Sequence, residues 1–350
     1  MTSLLELQNV TKVYSGGLLR RRATVALEDN YVSIGGSKSE ATILAIAGES
    51  GSGKTTMGML LLGFIEPTSG KVLYKGQDLW ESPKDVWRDF RRQVQAIFQD
   101  PFEVYNPFYK VDHMLTTPVK KFGLADSRAE QEAIVEKALT GVGLRPGETL
   151  GRYPHQLSGG QRQRVTVARA LLLDPKVIIA DEPVSMVDAS LRATILKSLR
   201  RLKNEMGISI LYITHDLATA YHICEDIMIL YQGSVVEAGD VETVIMDPQH
   251  PYTKLLVSSI PWPDPNRRWG EPEDVTKGQA LAERGTVGCK FAPRCPQAMD
   301  ICHEKRPSLF WTGDTRAVSC FLYQDSPVVQ PSEINKVLTN TASDVSVAAP

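Results

Sequence analysis

Hydrophobic and polar positions along residues 1–240 predict a sheet covered by helices. The N-terminal run LLELQNVTKVY (4–14) alternates apolar and polar side chains, which predicts a strand with one buried face. Three short apolar runs, ATILAIAG (41–48), KVIIAD (176–181) and ISILYITH (208–215), are typical of strands that are buried on both faces.

Segments with helical periodicity lie between these strands. They are TTMGMLLLGF (55–64), QRQRVTVARALLL (161–173) and SLRATILKSLRRLKNEMG (190–207). Hairpins are indicated at GKVLYKGQDL (70–79) and IMILYQGSVVEAG (227–239). The repeated strand–helix–strand order predicts an α/β fold with a parallel sheet.

The pattern of hydrophobic and polar positions changes twice along the chain and divides it into a core with an insert, a C-terminal module and a tail. Residues from about 88 to 158 read as a mostly helical insert within a core at 1–245. Residues 246–325 are rich in Pro and Trp, hold four of the five cysteines, and read as a separate C-terminal module. Residues 326–350 lack aromatic side chains and are expected to form a flexible tail.

Composition narrows the function. The 39 Lys+Arg against 41 Asp+Glu exclude a nucleic-acid binder that depends on bulk positive charge. No apolar stretch near the N-terminus approaches the ~20 residues of a membrane span, and Glu6 interrupts the start where a signal peptide would be apolar. We expect a chain that stays in the cytoplasm with its cysteines reduced.

A glycine-rich loop between strand and helix carries the clearest chemistry. Gly48-Glu49-Ser50-Gly51-Ser52-Gly53-Lys54-Thr55 fits G-x-x-x-x-G-K-[ST], and Thr56 is assigned to the same site. Glycines let backbone N–H groups wrap a phosphate, Lys54 adds a cation for the β- and γ-phosphates, and Thr55 offers a hydroxyl to Mg²⁺. A plain turn is the alternative, but the position favours ATP binding.

Two carboxylates end the strand in VIIADEP (177–183). Asp181 is predicted to hold magnesium and Glu182 to act as general base toward the attacking water. The alternative is an Asp that starts a turn before Pro183; the phosphate loop favours the catalytic reading.

A second glycine-rich loop precedes the helix at 161–173. Ser158, Gly159, Gly160 and Gln161, after Leu157, place amides, a hydroxyl and a helix dipole where an anion binds. Because one nucleotide has one triphosphate, we expect two chains to meet head to tail, each giving this loop to the other chain's nucleotide.

These three motifs, in this order, resemble the ATP-binding subunit of an ABC transporter over roughly residues 4–240. The resemblance implies a P-loop (RecA-like) α/β core with an antiparallel β subdomain and the helical insert. It implies that Tyr14 stacks on adenine, although a plain strand tyrosine is the alternative. The resemblance also implies that Gln99 contacts the metal and the lytic water, and that Ser185 and Asp188 belong to the loop that crosses the dimer interface. It implies that His215 contacts the γ-phosphate, with a purely structural histidine as the alternative.

The C-terminal region resembles the extension of ATPases that serve oligopeptide and dipeptide import. It contains HPYTKLLVSSIP (250–261), GCKFAPRCPQAMDICHEKRPSLF (288–310) and AVSCF (317–321). The resemblance implies a peripheral ATPase at the cytoplasmic face of the membrane. Its partners are a second related ATPase, two permease subunits and an extracytoplasmic solute-binding protein, with no nucleic acid.

Four cysteines, Cys289, Cys295, Cys302 and Cys320, cluster within this region. Four thiolates can hold a [4Fe–4S] cluster or a structural Zn²⁺, yet the spacing matches neither the short zinc pattern nor the ferredoxin run. The resemblance favours the iron–sulfur cluster, with zinc and unligated thiols as alternatives.

Two departures leave the solute open. EVYNP (103–107) replaces the SSLNP form of peptide systems, and SMVDAS (185–190) replaces the SALD form. Members that import di- or oligosaccharides carry similar variants, so sugar import is the alternative. The single uninterrupted cassette disfavours a soluble ABC ATPase that acts on DNA or in translation. The presence of Glu182 and His215 disfavours a module that binds ATP without hydrolysing it.

Overall fold

The structure is a computed structural model that describes residues 3–15, 23–35, 41–98, 105–185, 187, 189–260, 287–330 and 333–338. Its strands are β1 (Leu5–Tyr14), β2 (Thr24–Ile34), β3 (Ile43–Ala47), β4 (Ser69–Tyr74), β5 (Gln77–Asp78), β6 (Val94–Ile97), β7 (Val177–Asp181), β8 (Ser209–Thr214), β9 (Asp226–Tyr231), β10 (Ser234–Asp240), β11 (Phe310–Gly313) and β12 (Arg316–Val318). Every strand and hairpin that the sequence predicts is present.

Helices connect these strands. They are α1 (Lys54–Leu61), α2 (Lys84–Gln93), α3 (Val111–Phe122), α4 (Arg128–Gly141), α5 (Pro146–Thr149), α6 (Gly159–Leu171), α7 (Ala189–Met206), α8 (Leu217–Ile223), α9 (Val241–Met246), α10 (Pro251–Ser258), α11 (Asp300–Glu304) and α12 (Ile334–Val337). Within the described residues, no helix is both long and apolar enough to cross a membrane.

Two sheets organise the described residues. A four-stranded antiparallel sheet has the order β2-β1-β4-β5, and an eight-stranded sheet has the order β11-β12-β10-β9-β3-β8-β7-β6. Strands β9, β3, β8, β7 and β6 run parallel, whereas β10, β12 and β11 are added antiparallel at one edge. The predicted α/β fold is therefore confirmed.

The central strand β3 is buried on both faces, as its continuous apolar sequence predicts. Ile43 and Ala45 face a core formed with the helices on one side of the sheet. Leu44 and Ile46 face a second core that includes α1 and the antiparallel sheet. Alternating side chains of one strand thus join both layers, and the loop that follows β3 is anchored from two sides.

The helical region contains α3, α4 and α6, which contact one another. Ser127 caps α4, because its hydroxyl accepts the N–H of Glu130. Residues 94–97, which the sequence analysis assigns to the insert, instead form β6 at the sheet edge, where Val94 pairs with Val177. Val94 and Ile97 are buried there, and four residues are too few for periodicity to distinguish strand from helix.

The C-terminal region adds strands to the main sheet, which the sequence analysis does not predict. β12 pairs with β10, with Ala317 opposite Ala238, and β11 pairs with β12. Part of the predicted tail is packed as well, because Val329 and Val337 are buried in the core shared with the antiparallel sheet. Residues 339–350 lie outside the described part of the chain.

The His-Pro-Tyr-Thr segment is anchored by a buried carboxylate. Glu237 on β10 is fully buried and accepts the backbone N–H groups of Gln249 and His250, at 3.0 and 2.9 Å. The His250 ring in turn caps α10, because its Nδ1 accepts the N–H of Tyr252 at 3.0 Å. Burial lowers the pKa of His250 to about 3, so the ring is neutral in the folded chain.

This burial predicts a pH-dependent stability. Below pH 6.5 the unfolded chain protonates His250 while the folded chain does not, so stability falls as the pH falls toward 3. Because each unit of difference is worth about 1.4 kcal/mol, the loss assigned to His250 is about 2–3 kcal/mol between pH 6.5 and 4.5. The variant His250→Asn keeps an acceptor for Tyr252 and should lose less stability over this range in denaturant titrations. His222→Asn, at an exposed position, should behave like wild type; equal losses in wild type and His250→Asn would contradict the assignment.

Candidate nucleotide site

The phosphate-binding loop turns from the end of β3 into the start of α1. Gly48 has a φ of 148° and Gly53 a φ of 108°, both in the left-handed region that favours glycine. A Cβ on Gly48 would lie 2.2 Å from the backbone oxygen of Leu230, and one on Gly53 would lie 2.5 Å from that of Ala26. The motif therefore requires glycine here, both for the turn and for its close packing on the neighbouring strands.

Lys54 is buried at the start of α1. Its Nζ donates to the backbone oxygens of Gly48 and Glu49, at 2.8 Å each. The ammonium group is therefore hydrogen-bonded to the phosphate-binding loop itself. Burial lowers the pKa of Lys54, and the charges of Glu182, Asp181 and Glu49 oppose that shift. A cation held by uncharged oxygens beside several carboxylates can turn toward a phosphate at little cost.

Thr55 and Asp181 provide oxygen donors at one place. Asp181 ends β7, and its carboxylate is hydrogen-bonded to the Thr55 side chain. Burial, with the charge of Glu182, raises the pKa of Asp181, while Thr55 and Lys54 lower it. A desolvated carboxylate next to a hydroxyl is the oxygen set that Mg²⁺ prefers, so these two residues fit the ion.

Glu182 and His215 form a pair at the carboxyl ends of two adjacent strands. Glu182 follows β7 with a φ of 44°, and its N–H donates to Ile213 of β8 at 2.9 Å. Its Oε1 lies 2.8 Å from Nδ1 of His215, which follows β8. The Ser185 hydroxyl donates to the Glu182 carbonyl oxygen at 3.0 Å, which stabilises this turn. The carboxylate is thus held in place by backbone and by imidazole.

A cavity of about 850 Å³ joins several of these groups, whereas Gly48, Glu49, Ser52 and Asp181 are not among its lining residues. The lining residues that the sequence analysis singles out are Tyr14, Ser50, Gly51, Gly53, Lys54, Thr55, Thr56, Glu182 and His215. Tyr14 is 42% exposed, with Lys12 Nζ 5.4 Å from its ring centroid, so one ring face is available to a planar group. Gln99 and Asp188 lie outside the described residues.

The second glycine-rich loop does not contribute to this cavity. Ser158 and Gln161 form a capping box at the start of α6, in which the hydroxyl accepts the Gln161 N–H at 3.2 Å and the amide oxygen accepts the Ser158 N–H at 2.9 Å. Ser158 is exposed, and none of the described cavity-lining residues belongs to 157–161. The capping box therefore fixes the local geometry of a loop that does not line its own chain's cavity.

Sequence reasoning missed several residues at the cavity. Glu28, Gln232, Lys290 and Arg306 also line it. Tyr252 reaches the phosphate loop from the His-Pro-Tyr-Thr segment, because its hydroxyl accepts the Glu49 N–H at 2.8 Å. These residues come from distant parts of the chain and form no local sequence pattern. The one signal that could have pointed to them is the resemblance of residues 250–310 to a transporter extension, and that resemblance does not indicate contact with the nucleotide.

The four clustered cysteines are free thiols. Burial, together with the charges of Cys289, Cys295 and Cys302, raises the pKa of Cys320 to about 11, so the four side chains are electrostatic neighbours. The Cys289 N–H donates to the Cys302 carbonyl oxygen at 2.7 Å. Thiol chemistry fits iron or zinc, but no group of three or more His, Cys, Asp or Glu in the described chain has an arrangement that could hold a metal ion.

The fold and cavity define the class of protein, a P-loop ATPase with an α/β core. Residues 34–185 match the family model described as ABC transporter, and residues 236–302 match that of the oligopeptide/dipeptide transporter C-terminal region. With relatives near 40% identity over most of its length, the chain belongs to the ATP-binding subunits of the oligopeptide/dipeptide ABC transporter family. As a member of this family it is an ATPase, for which ATP and Mg²⁺ are typical.

Two curated relatives illustrate the similarity. The oligopeptide transport ATP-binding protein OppF of Salmonella typhimurium is 40% identical over 80% of this chain and 84% of its own length. The dipeptide transport ATP-binding protein DppF of Haemophilus influenzae is 40% identical over 79% of this chain and 84% of its own. Among solved structures, the dimeric ATP-binding cassette MJ0796 bound to ADP and Pi has a TM-score of 0.60 at 29% identity, covering 68% of this chain and 98% of that one.

Proposed function

We propose that this chain hydrolyses ATP to power the import of oligopeptides or dipeptides through partner permease subunits. The observation that carries the proposal is the Glu182–His215 pair, which lines the same cavity as Lys54 and Thr55. The peptide solute is supported by the names of relatives that match about four-fifths of the chain. Residues 1–245 act as the ATPase unit and 246–325 as its transporter-type extension.

The geometry supports the catalytic roles that we assign as part of this proposal. Lys54 turns from the Gly48 and Glu49 carbonyl oxygens to the β- and γ-phosphates. Thr55 and Asp181 would hold Mg²⁺, which would neutralise charge at the phosphates. Glu182 orients a water and accepts its proton, and His215 holds the Glu182 carboxylate and contacts the γ-phosphate. Gln99 and Asp188 keep the roles that the family resemblance implies.

A second ATPase subunit completes the site. The loop at Ser158–Gln161 is exposed at the N-terminus of α6 and is absent from the lining of its own chain's cavity, among the residues described. The amides of Gly159 and Gly160, together with the helix dipole, fit a phosphate from another chain. A head-to-tail pair, with a related subunit as partner, brings each such loop to the opposite nucleotide together with Ser185 and Asp188.

The helical region offers a surface for the permease. Phe108 is 86% exposed and Tyr109 51% exposed, beside a groove of about 250 Å³ that Tyr105, Met114 and Arg169 also line. Exposed aromatic side chains next to a groove are typical anchors for a partner helix. We assign this surface to a cytoplasmic helix of the permease, which places the chain peripherally at the cytoplasmic face of the membrane; an extracytoplasmic binding protein delivers the solute.

We propose that the four cysteines bind a [4Fe–4S] cluster, with Zn²⁺ as the alternative. Their side chains would have to rearrange on binding, because within the described residues they do not already form a metal site. Support comes from four free thiols whose charges act on one another. Cys289, Cys295, Cys302 and Cys320 would hold the group as thiolates. This requires the raised pKa values of Cys289, Cys295 and Cys320 to fall when metal binds.

Replacing the general base tests the catalytic assignment. Glu182→Gln should lower phosphate release about 10²–10⁴-fold, because the amide cannot accept the proton of the attacking water. ATP binding, measured by displacement of a fluorescent nucleotide, should persist. Glu205→Gln, which alters an exposed carboxylate paired with Arg201, should hydrolyse ATP like wild type. Turnover by Glu182→Gln close to that of wild type would refute the assignment.

Removing an aromatic anchor tests the permease surface. Phe108→Ala should weaken permease association by about 1–2 kcal/mol, seen as a several-fold drop in co-purified permease. ATP hydrolysis by the isolated chain should not change. Met246→Ala, at a position 58% exposed outside the helical region, should retain the permease; equal retention by both variants would place the interface elsewhere.

Metal analysis tests the cysteine assignment. Anaerobically purified protein should contain iron and acid-labile sulfide, and Cys295→Ser should lose both together with the visible sulfur-to-iron absorption. Cys224→Ser is the control, because this thiol is buried in the main core. Zinc without sulfide would favour the alternative, and the absence of iron, sulfide and zinc would show that the thiols are unligated.

A further inference from the structure

The phosphate-binding loop carries a negative charge at its second position. Glu49 follows Gly48, and its charge acts on Lys54 in the same loop. A carboxylate in a loop that binds a triphosphate opposes the ligand electrostatically, since two like charges within several ångströms repel strongly when partly desolvated. The loop therefore needs a counter-charge.

Arg294 from the C-terminal region supplies it. Both of its terminal nitrogens donate to the Glu49 carboxylate oxygens, at 3.0 Å each, in a bidentate pair. The Arg294 side chain is 14% exposed and the Glu49 side chain 42%, so the guanidinium is largely shielded from solvent while the carboxylate stays partly open to it. An arginine guanidinium is charged throughout the physiological pH range.

The guanidinium is held in place independently of Glu49. Its carbon lies 5.7 Å from the ring centroid of Tyr231 and 5.6 Å from that of Phe291. One nitrogen also donates to the Tyr231 hydroxyl at 3.4 Å. The aromatic rings orient the guanidinium before any nucleotide binds, so Arg294 is preorganised as the partner of Glu49.

Glu28, a carboxylate that lines the cavity itself, is also paired with cations from the C-terminal region. Its partners are Lys290, at 2.9 Å, and Arg306. Although burial would raise the pKa of Glu28, the hydrogen bonds from these two cations lower it, so the carboxylate is ionised and neutralised. All three cations come from residues 290–306, and Lys290 and Arg294 directly neighbour Cys289 and Cys295.

We propose that Arg294 is a positioning residue of the ATP site, which neutralises Glu49 so that the loop can accept the triphosphate. The C-terminal extension is then part of the nucleotide site rather than an appendage to it. This inference rests on the proposed ATP site at Gly48–Thr55, and the experiment separates the failure of one from the failure of the other.

The test compares ATP affinity in the full-length chain by displacement of a fluorescent nucleotide. Arg294→Gln leaves Glu49 uncompensated and should bind ATP about tenfold more weakly than Glu49→Gln, which removes the repelling charge. The double variant should match Glu49→Gln, because the substitution at Arg294 has no charge left to expose. The difference between the single variants should shrink at high salt, which screens the repulsion.

Arg316→Gln is the matched control. Arg316 is a buried arginine of the C-terminal region that donates to the backbone and side-chain oxygens of Asp247, at 2.8 and 3.3 Å, and has no described contact with Glu49. Like Arg294, it is not among the described residues that line the cavity. It should keep wild-type ATP affinity. If Arg316→Gln weakens binding as much as Arg294→Gln, general loosening of the extension explains the effect and the proposal fails.

The remaining outcomes are also decisive. Equal, salt-independent weakening in Arg294→Gln and Glu49→Gln would mean that the pair only tethers the loop, which overturns the charge-neutralising role. A double variant as weak as Arg294→Gln would overturn it too. Absence of ATP binding by the wild-type chain would instead overturn the proposed site itself.

Discussion

The structure depends on one constraint, which is that a backbone turn must enclose a phosphate between a buried strand and a helix. Gly48 and Gly53 adopt positive φ angles, and neighbouring backbone oxygens leave no space for a side chain at either position. The turn keeps its shape because β3 is packed on both faces, against helices on one side and the antiparallel sheet on the other. The groups to which we assign catalysis, Asp181, Glu182 and His215, lie at the carboxyl ends of nearby parallel strands.

Much of the core could be predicted from the sequence because the informative residues are local. The phosphate loop, the Asp181–Glu182 pair and the capped helix after Ser158 each occupy a few consecutive positions with a physical reason for their spacing. Continuous apolar runs likewise identified β3, β7 and β8. The contact between Glu182 and His215 can be predicted once β7 and β8, which these residues follow, are known to be parallel neighbours.

What could not be predicted depends on contacts between distant residues. β6 is four residues long and is stabilised by pairing with β7, so its own sequence does not distinguish it from helix. β12 joins the sheet through β10, although about eighty positions separate the two strands along the chain. Arg294 meets Glu49 across most of the chain, and a lone arginine beside a cysteine carries no periodic signal. The sequence indicates a separate C-terminal module because the amino-acid composition changes at its boundary. Composition does not reveal which residues pack against each other across that boundary.

The central claim is that ATP hydrolysis at this site drives peptide import. The most direct measurement is the rate of ATP hydrolysis by the assembled transporter in lipid vesicles, with its solute-binding protein loaded with peptide, loaded with oligosaccharide, or empty. The account predicts that the peptide-loaded binding protein stimulates hydrolysis and that labelled peptide accumulates in step with phosphate release. Stimulation by oligosaccharide alone would contradict the peptide assignment, and hydrolysis indifferent to every loaded binding protein would contradict the coupling of this ATPase to import.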